Sequence, residues 1–279
     1  MNTRAHTGMP FIKMHGLGND FVVVDARVRD LEIDAALVRA VGDRRRGIGF
    51  DQFAKIDRGQ NGADVHLTFW NPDGSESAAC GNATRCIARM VMEETGRKSV
   101  NVTTARGNLF AEDAGGGLTS VNMGMPQLNW RDIPLSKNVD TLELPIPGAP
   151  TATGMGNPHC TFFVDDADAV ALEEFGARYE HHPLYPERTN VQVVHVVGPD
   201  HLRMRVWERG TGVTLASGSS SCAVAVAAAR RGLTGRRGKI DLDGGQLSVE
   251  WREDGVWMTG PTAHVCDGVI TSDFLEHAT

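Results

Sequence analysis

The sequence predicts an α+β protein built from two similar domains, each with many strands around one buried helix. Two observations carry this. The second half replays the first at an offset of about 137 residues, and the replay lands on chemically distinctive groups. In addition, short alternating apolar runs greatly outnumber helical ones. Gly16-Leu17-Gly18-Asn19 returns as Gly154-Met155-Gly156-Asn157, each followed by an apolar run ending in Asp. His66-Leu67 returns as His201-Leu202, Trp70 as Trp207, and Ala79-Cys80-Gly81 as Ala216-Ser217-Gly218. Gly124-Met125-Pro126 has a looser echo in Thr259-Gly260-Pro261. The repeat is too long for a solenoid unit. It implies two facing domains whose cleft presents matching groups to both faces of one small substrate.

Taken in chain order, Met1 to Pro10 is polar and reads as a frayed tail without the apolar core of a signal peptide. Phe21 to Val24 is a strand candidate. Asp34 is placed to cap a helix running to about Asp43. Asp64 to Trp70 alternates and reads as a half-buried strand. Asn82 to Thr95 reads as a helix closed by Gly96. Val100 to Thr104 and Thr119 to Met123 are further strands. Asn129 to Pro150 holds four prolines with little periodicity, so it is expected to contain the domain junction. The expected domains are 1–128 and 129–261, with 262–279 a candidate to cross back to the first. In the second half, strands are expected at Cys160 to Val164, Val191 to Val197, Leu202 to Trp207, Lys239 to Leu242, Leu247 to Trp251 and Val256 to Thr259. Asp166 or Asp168 is expected to open a helix ending near Arg178. Ser219 to Arg231 is apolar on almost every face and reads as a buried central helix stopped by Gly232.

At 279 residues the chain is ample for two such domains. A formal charge of -7 argues against a nucleic-acid partner. No apolar run approaches the ~20 residues of a membrane span. Five cysteines without regular spacing, and no CxxC or HExxH, argue against a disulfide framework and against zinc. A reduced cytoplasm is the expected home.

The chemistry is expected at two helix mouths. Cys80 precedes the helix that starts near Asn82. A helix N-terminus offers unpaired N–H groups and partial positive charge, which stabilise a thiolate. Gly81-Asn82 and Gly218-Ser219 aim backbone N–H groups into the same expected cleft, a natural seat for a substrate carboxylate as charge spreads from an α-carbon. Groups flanking that carbon, one per domain, have the arrangement of a racemase or epimerase that needs no cofactor. Asn19, Asn71, Asn157 and Asn190 sit at turns or strand ends. His159 and Glu208 lie near the motifs of the second copy, and Glu208-Arg209 falls at a strand mouth. Gly16-Leu17-Gly18-Asn19 precedes a strand rather than opening a helix, which excludes a dinucleotide-binding loop.

At these residues the chain resembles the diaminopimelate epimerases, nearly end to end. The similarity runs through MHGLGNDFVVVD (Met14 to Asp25), GFDQ (Gly49 to Gln52), NPDGSESAACGNATRC (Asn71 to Cys86), GMGNPH (Gly154 to His159), PERTNVQ (Pro186 to Gln192) and WERGTGVTLASGSSSC (Trp207 to Cys222). The resemblance implies a pseudo-symmetric fold of mixed, mostly antiparallel sheets or barrels wrapped round central helices. It implies a homodimer, no cofactor, and conversion of LL-2,6-diaminopimelate to the meso form. It assigns Cys80 as one catalytic acid/base and Gly81, Asn82, Gly218 and Ser219 as the carboxylate cradle. It gives the distal end of the substrate to Asn19, Asn71, Asn157, Asn190 and Arg209, has Gln52 help close the cleft, and has His159 and Glu208 tune the thiols.

One departure stands out. The family has its second catalytic cysteine where this chain has Ser217. A hydroxyl titrates near water's ~15.7 rather than a thiol's ~8.5, a gap worth roughly 10 kcal/mol in making the base. Ser217 is therefore expected to be a poor base, though able to donate a proton or hold a water. Two other readings compete: a related racemase or dehydratase using a single thiol, and a non-catalytic homologue that only binds an amino acid.

Overall fold

The computed structural model describes residues 8–278. The chain divides into two compact units: residues 8–119 with 262–278, and residues 120–261.

The first unit begins with a hairpin, β1 (Gly8–Gly16) and β2 (Asn19–Asp25), joined through Leu17 and Gly18. Both linking residues have positive φ, 58° and 83°, the geometry of a tight turn whose twist matches its strands. Then follow α1 (Ala35–Gly42), β3 (Gln52–Arg58), β4 (Val65–Trp70), the short β5 (Glu76–Ser77), α2 (Gly81–Thr95), β6 (Ser99–Thr104) and β7 (Gly107–Gly115). β8 (Leu118–Asn122) enters the second unit from Ser120 onward. β1 and β2 are antiparallel, β2 and β3 parallel, β3 and β4 antiparallel, β4 and β6 parallel, and β6 and β7 antiparallel; β5 adds antiparallel to β4.

The second unit repeats this order. It has β9 (Thr151–Gly154), β10 (Pro158–Phe163), α3 (Leu172–Glu180), β11 (Asn190–Gly198), β12 (His201–Glu208), β13 (Gly212–Thr214), α4 (Gly218–Arg230), β14 (Arg237–Leu242), β15 (Gly245–Arg252) and β16 (Gly255–Pro261). Its pairings are those of β1 to β7 over again: antiparallel, parallel, antiparallel, parallel and antiparallel, with β13 antiparallel on β12. The chain then returns as β17 (Ala263–Thr271), antiparallel to β1, and a last helix, α5 (Ser272–His277). The fold class is α+β, with sheets wrapped round central helices.

Each central helix is set by its sequence. α2 is capped by Cys80 and ended by Gly96 at φ 68°, a left-handed position that glycine takes without strain. It packs on β1, β2, β6 and β7. α4, rich in alanine and valine, buries most of its residues against β9, β10, β11 and β14 to β16. The peripheral helices build separate apolar clusters. Leu37, Val38 and Val41 of α1 pack with Phe50, Phe53 and Trp70. Leu172 and Tyr179 of α3 pack with Phe162, Tyr185 and Val193.

Several expectations need correction. Gly8 to Pro10 belongs to β1, held by β17; Met1 to Thr7 lies outside the described residues. α3 starts at Leu172 after Ala171, with no side-chain cap, so neither Asp166 nor Asp168 opens it. Asn129 to Pro150 is not a junction. Ile133, Leu135 and Leu144 from this stretch are buried in the second unit's core. The division between units falls earlier than 128/129, after Thr119, because Ser120 Oγ accepts from Thr259 (2.9 Å) and Met123 N donates to Val256 O (2.8 Å).

Candidate functional site

In the first unit, Cys80 is the N-cap of α2, in extended backbone at φ −139°, ψ 108°. Its buried sulfur accepts from Ala83 N at 3.4 Å, as a capping side chain does. Sγ also donates to Asn19 Oδ1 at 4.0 Å. That oxygen accepts from Asn82 Nδ2 (3.1 Å), and Asn82 Oδ1 accepts from Arg85 Nη1 (2.8 Å). Asn19 is oriented from its other side, where its Nδ2 donates to Asp51 Oδ2 (2.9 Å). Asp51 is gripped by Arg44 (2.8 Å), which also bonds Asp20. Burial alone would raise the Asp20 carboxyl, but hydrogen bonds from Arg44 and Lys13 outweigh it and hold the pKa below the ordinary carboxylate value. Gln52 Nε2 donates to Ser77 Oγ (3.2 Å) and Asn71 Oδ1 (3.5 Å), and Asn71 Nδ2 donates to Ser75 Oγ (3.0 Å). Asn19, Asn71, Gln52, Cys80 and Asn82 thus converge on one end of the sheet. By helix geometry, the N–H groups of Gly81 and Asn82 have no partner within α2.

In the second unit, Ser217 is the N-cap of α4, with backbone close to that of Cys80: φ −136°, ψ 119°. It makes no side-chain cap. Its hydroxyl points instead to Glu208 Oε2 (2.9 Å) and Ser220 Oγ (3.0 Å). Glu208 Oε1 accepts from Thr214 Oγ1 (2.6 Å). Behind Ser220 sit Gln192 and His159, all three fully buried. Gln192 Oε1 accepts from Thr161 (3.1 Å), so its Nε2 faces both Ser220 Oγ (3.1 Å) and His159 Nδ1 (3.1 Å). An Nδ1 that accepts leaves the imidazole proton on Nε2, which donates to Asn157 Oδ1 (2.9 Å). In that tautomer the His159 Nε2–H orients Asn157.

Arg209 follows Glu208 at the end of β12. Its N–H donates to Asn190 Oδ1 (3.0 Å), and Asn190 Nδ2 donates to Pro158 O (2.9 Å). The turn beyond is fixed by the buried Glu180 carboxylate, which accepts from Trp207 Nε1 (2.7 Å), Gly210 N (2.9 Å) and Arg188 Nη1 (3.3 Å). Gly218 and Ser219 supply the first free N–H groups of α4. Cys86 and Cys222 lie inside their helices, fully buried; burial pushes the Cys86 thiol up to about 11.

Two fully formed clusters thus sit at equivalent helix tips. The family model for diaminopimelate epimerase matches residues 11–129 and 151–265, spanning both clusters. The chain belongs to the diaminopimelate epimerase family. A relative named diaminopimelate epimerase from Rhodospirillum centenum is 51% identical over 271 residues, 95% of this chain and 93% of that relative. Another so named, from Acidiphilium cryptum, is 48% identical over 95% of this chain and 98% of its own length. Among solved structures, a hydroxyproline epimerase from Agrobacterium vitis superposes with a TM-score of 0.69 at 15% identity, covering 98% of this chain and 94% of that one. A phenazine biosynthesis protein of the PhzF family from Bacillus anthracis superposes with a TM-score of 0.67 at 15% identity, covering 95% and 99%. These two share the fold of the diaminopimelate epimerase family.

Asp51, Ser77, Thr161, Glu180, Gln192 and Ser220 were not singled out from the sequence. Asp51, Ser77, Gln192 and Ser220 lie inside motifs quoted above. Strand register exposes Gln192: it pairs with Thr161 on β10, two positions from the His159–Asn190 pair, so it shares their face. Among the described residues no three His, Cys, Asp or Glu side chains converge to hold a metal ion, and no helix is long and apolar enough to cross a membrane.

Proposed function

We propose that this isomerase epimerises LL-2,6-diaminopimelate to the meso form without a cofactor, through acid/base transfer at the α-carbon, with Cys80 and Ser217 as the two acid/base positions. The observation that carries this reading is the repetition of one backbone conformation at two helix N-caps. Cys80 and Ser217 occupy that position in turn, each followed by first-turn N–H groups suited to a carboxylate. The thiol is a competent acid/base near neutrality. A hydroxyl is not, so turnover is expected to be slower than with sulfur at both positions. Asn19, Asn71, Asn157, Asn190 and Arg209 are assigned to the distal amino-acid end, Gly81, Asn82, Gly218 and Ser219 to the reacting carboxylate, and Gln52 to closing the site. His159 and Glu208 support position 217. The protein works as a homodimer in the cytoplasm on this reading.

The test is substrate α-proton exchange in deuterated water, followed separately for the LL and meso isomers. Exchange with diaminopimelate that disappears in Cys80→Ala supports the assignment. Exchange with hydroxyproline but none with diaminopimelate would move the chain to a different reaction.

A further inference from the structure

Asn19 and Asn157 stand at matching places in the repeat, and each has its amide oxygen engaged. In the second unit the partner is the His159 ring. In the first unit it is a chain of side chains with a charge at each end. Arg85 Nη1 donates to Asn82 Oδ1 (2.8 Å), Asn82 Nδ2 donates to Asn19 Oδ1 (3.1 Å), and Asn19 Nδ2 donates to Asp51 Oδ2 (2.9 Å). A guanidinium only donates and a carboxylate only accepts, so neither amide can turn over without setting like against like. The chain is also packed in place. Asn82 and Arg85 are buried, and a side chain at Gly16 would lie 2.6 Å from Arg85 Nη2 and 3.2 Å from Asn82 Cβ. Asp51 is held in its turn. Its Oδ2 also accepts from Asp20 N (3.2 Å), its Oδ1 accepts from Arg44 Nη2 (2.8 Å), and its own N–H donates to Asp20 Oδ1 (3.0 Å).

The consequence falls on Cys80, whose sulfur lies 4.0 Å from Asn19 Oδ1. With Nδ2 committed to Asp51, the atom turned to the sulfur is an acceptor. An acceptor favours the neutral S–H over the thiolate. It opposes the N–H of Ala83, which donates to the sulfur at 3.4 Å, and the positive end of α2, both of which favour the thiolate. We propose that Asp51 is a positioning residue for this site: through Asn19 it keeps a carbonyl oxygen against the Cys80 sulfur, so that the sulfur rests as a thiol, ready to donate its proton. The part played by that proton rests on the epimerase reading above.

Other charged or titratable groups lie on the elements around this helix tip. β1 carries Lys13 and His15, and β2 carries Asp20 and Asp25. Lys13 pairs with Asp20, and Asp25 with Arg27. β7 carries Glu112 and Asp113, the latter paired with Arg89 and Lys98. Arg106, in the turn after β6, donates its backbone N–H to Ala78 O (3.2 Å). Asp51 and Arg85 are the two that end the amide chain, and Asp51 is the one bonded to Asn19.

The test is the titration of Cys80, read as thiolate absorbance in the ultraviolet after subtracting the same protein carrying Cys80→Ala. Asp51→Ala is expected to lower the titration midpoint by about one pH unit, and Asn19→Ala by a similar amount. Asp51→Asn loses the charge but keeps an oxygen for Asn19 Nδ2, and its midpoint is expected within about a third of a pH unit of wild type. Asp51→Ala added to Asn19→Ala is expected to change nothing further, because Asp51 acts through that amide. Circular dichroism and melting profiles check that each variant is folded. The proposal is overturned if Asp51→Asn shifts the midpoint as far as Asp51→Ala, or if Asp51→Ala still shifts it in the Asn19→Ala background. Either result would make the effect one of charge alone. If Asp51→Ala does not fold, an unmoved midpoint in Asn19→Ala overturns it as well. The titration needs no substrate, so its outcome is distinct from that of the epimerase reading, which is overturned by wild-type protein that exchanges no α-proton of diaminopimelate.

Discussion

The tip of α2 and the tip of α4 have nearly the same backbone and opposite surroundings. Cys80 caps its own helix and donates to the amide oxygen of Asn19, and the positions that match His159, Gln192 and Ser220 of the second unit are the buried Phe21, Ala54 and Ala83. Ser217 leaves its helix uncapped and joins a hydroxyl, amide and imidazole network that ends at Glu208. The difference teaches that a repeated fold transmits geometry, not reactivity. Strand register and helix entry are fixed by hydrophobic pattern and turns, which both halves keep. The polar partners around the tip of α4 come from buried side chains that the tip of α2 does not share.

That contrast is open to direct attack. The largest effect is expected at the sulfur: Cys80→Ala should reduce α-proton exchange by at least about 1,000-fold, since the remaining tip lacks a group with a thiol's acidity. Next, Ser217→Cys should raise turnover by about 10-fold or more, measured on the same substrate. An unchanged rate would mean that position 217 does not carry a proton. A third test makes the tips alike. Gln192→Leu strands Ser220 and His159 without their donor, and should lower stability by about 2 kcal/mol in urea unfolding. Replacing His159, Gln192 and Ser220 together by Phe, Ala and Ala, the residues of the first unit, should be less costly than the sum of the single losses, because no polar partner is left behind.

The smallest effect concerns the charges that hold Asn19. Asp20 has a lowered pKa, so its ion pairs with Lys13 and Arg44 contribute stability above the unfolded carboxyl value near ~3.9 and lose it as pH falls through the folded value. Asp20→Asn should therefore cost about 1–2 kcal/mol at pH 7, and the two proteins should converge in stability once pH falls below the lowered folded value. A gap that persists in acid would assign the loss to packing instead.

The repeat, the central helices and most strands were legible because they rest on signals that survive in one sequence: alternation, caps and terminating glycines. Gly96 at φ 68° and Gly232 at the same angle ended their helices where the pattern stops. β17 was not legible because six of its nine residues are exposed, which erases the alternation. β1 hid for a similar reason, with Gly8 and Pro10 breaking its pattern. Asn129 to Pro150 was misread as a connection because prolines suppress periodicity. Its Ile133, Leu135 and Leu144 are buried all the same, in backbone that follows no regular repeat. At the site, Cys80, Ser217, Asn19 and Asn157 were found because the halves resemble each other there, and Asn71 and Asn190, which match Glu208 and Gln52, were found from their places at strand ends. Gln192 and Ser220 escaped because they lie where the halves differ, and a search for sameness passes over such positions.

The return of β17 to β1 sets an order of events for the nascent chain. The first unit is synthesised first, yet its strand β1 has its second neighbour only after Pro261 has left the ribosome. Until then nine residues of β1 stand as an open border, inviting association with other chains. The second unit, contiguous from 120 to 261, has its whole ladder in hand earlier. The half carrying the thiol is therefore the last to close, and loss of the final few residues would expose that half first.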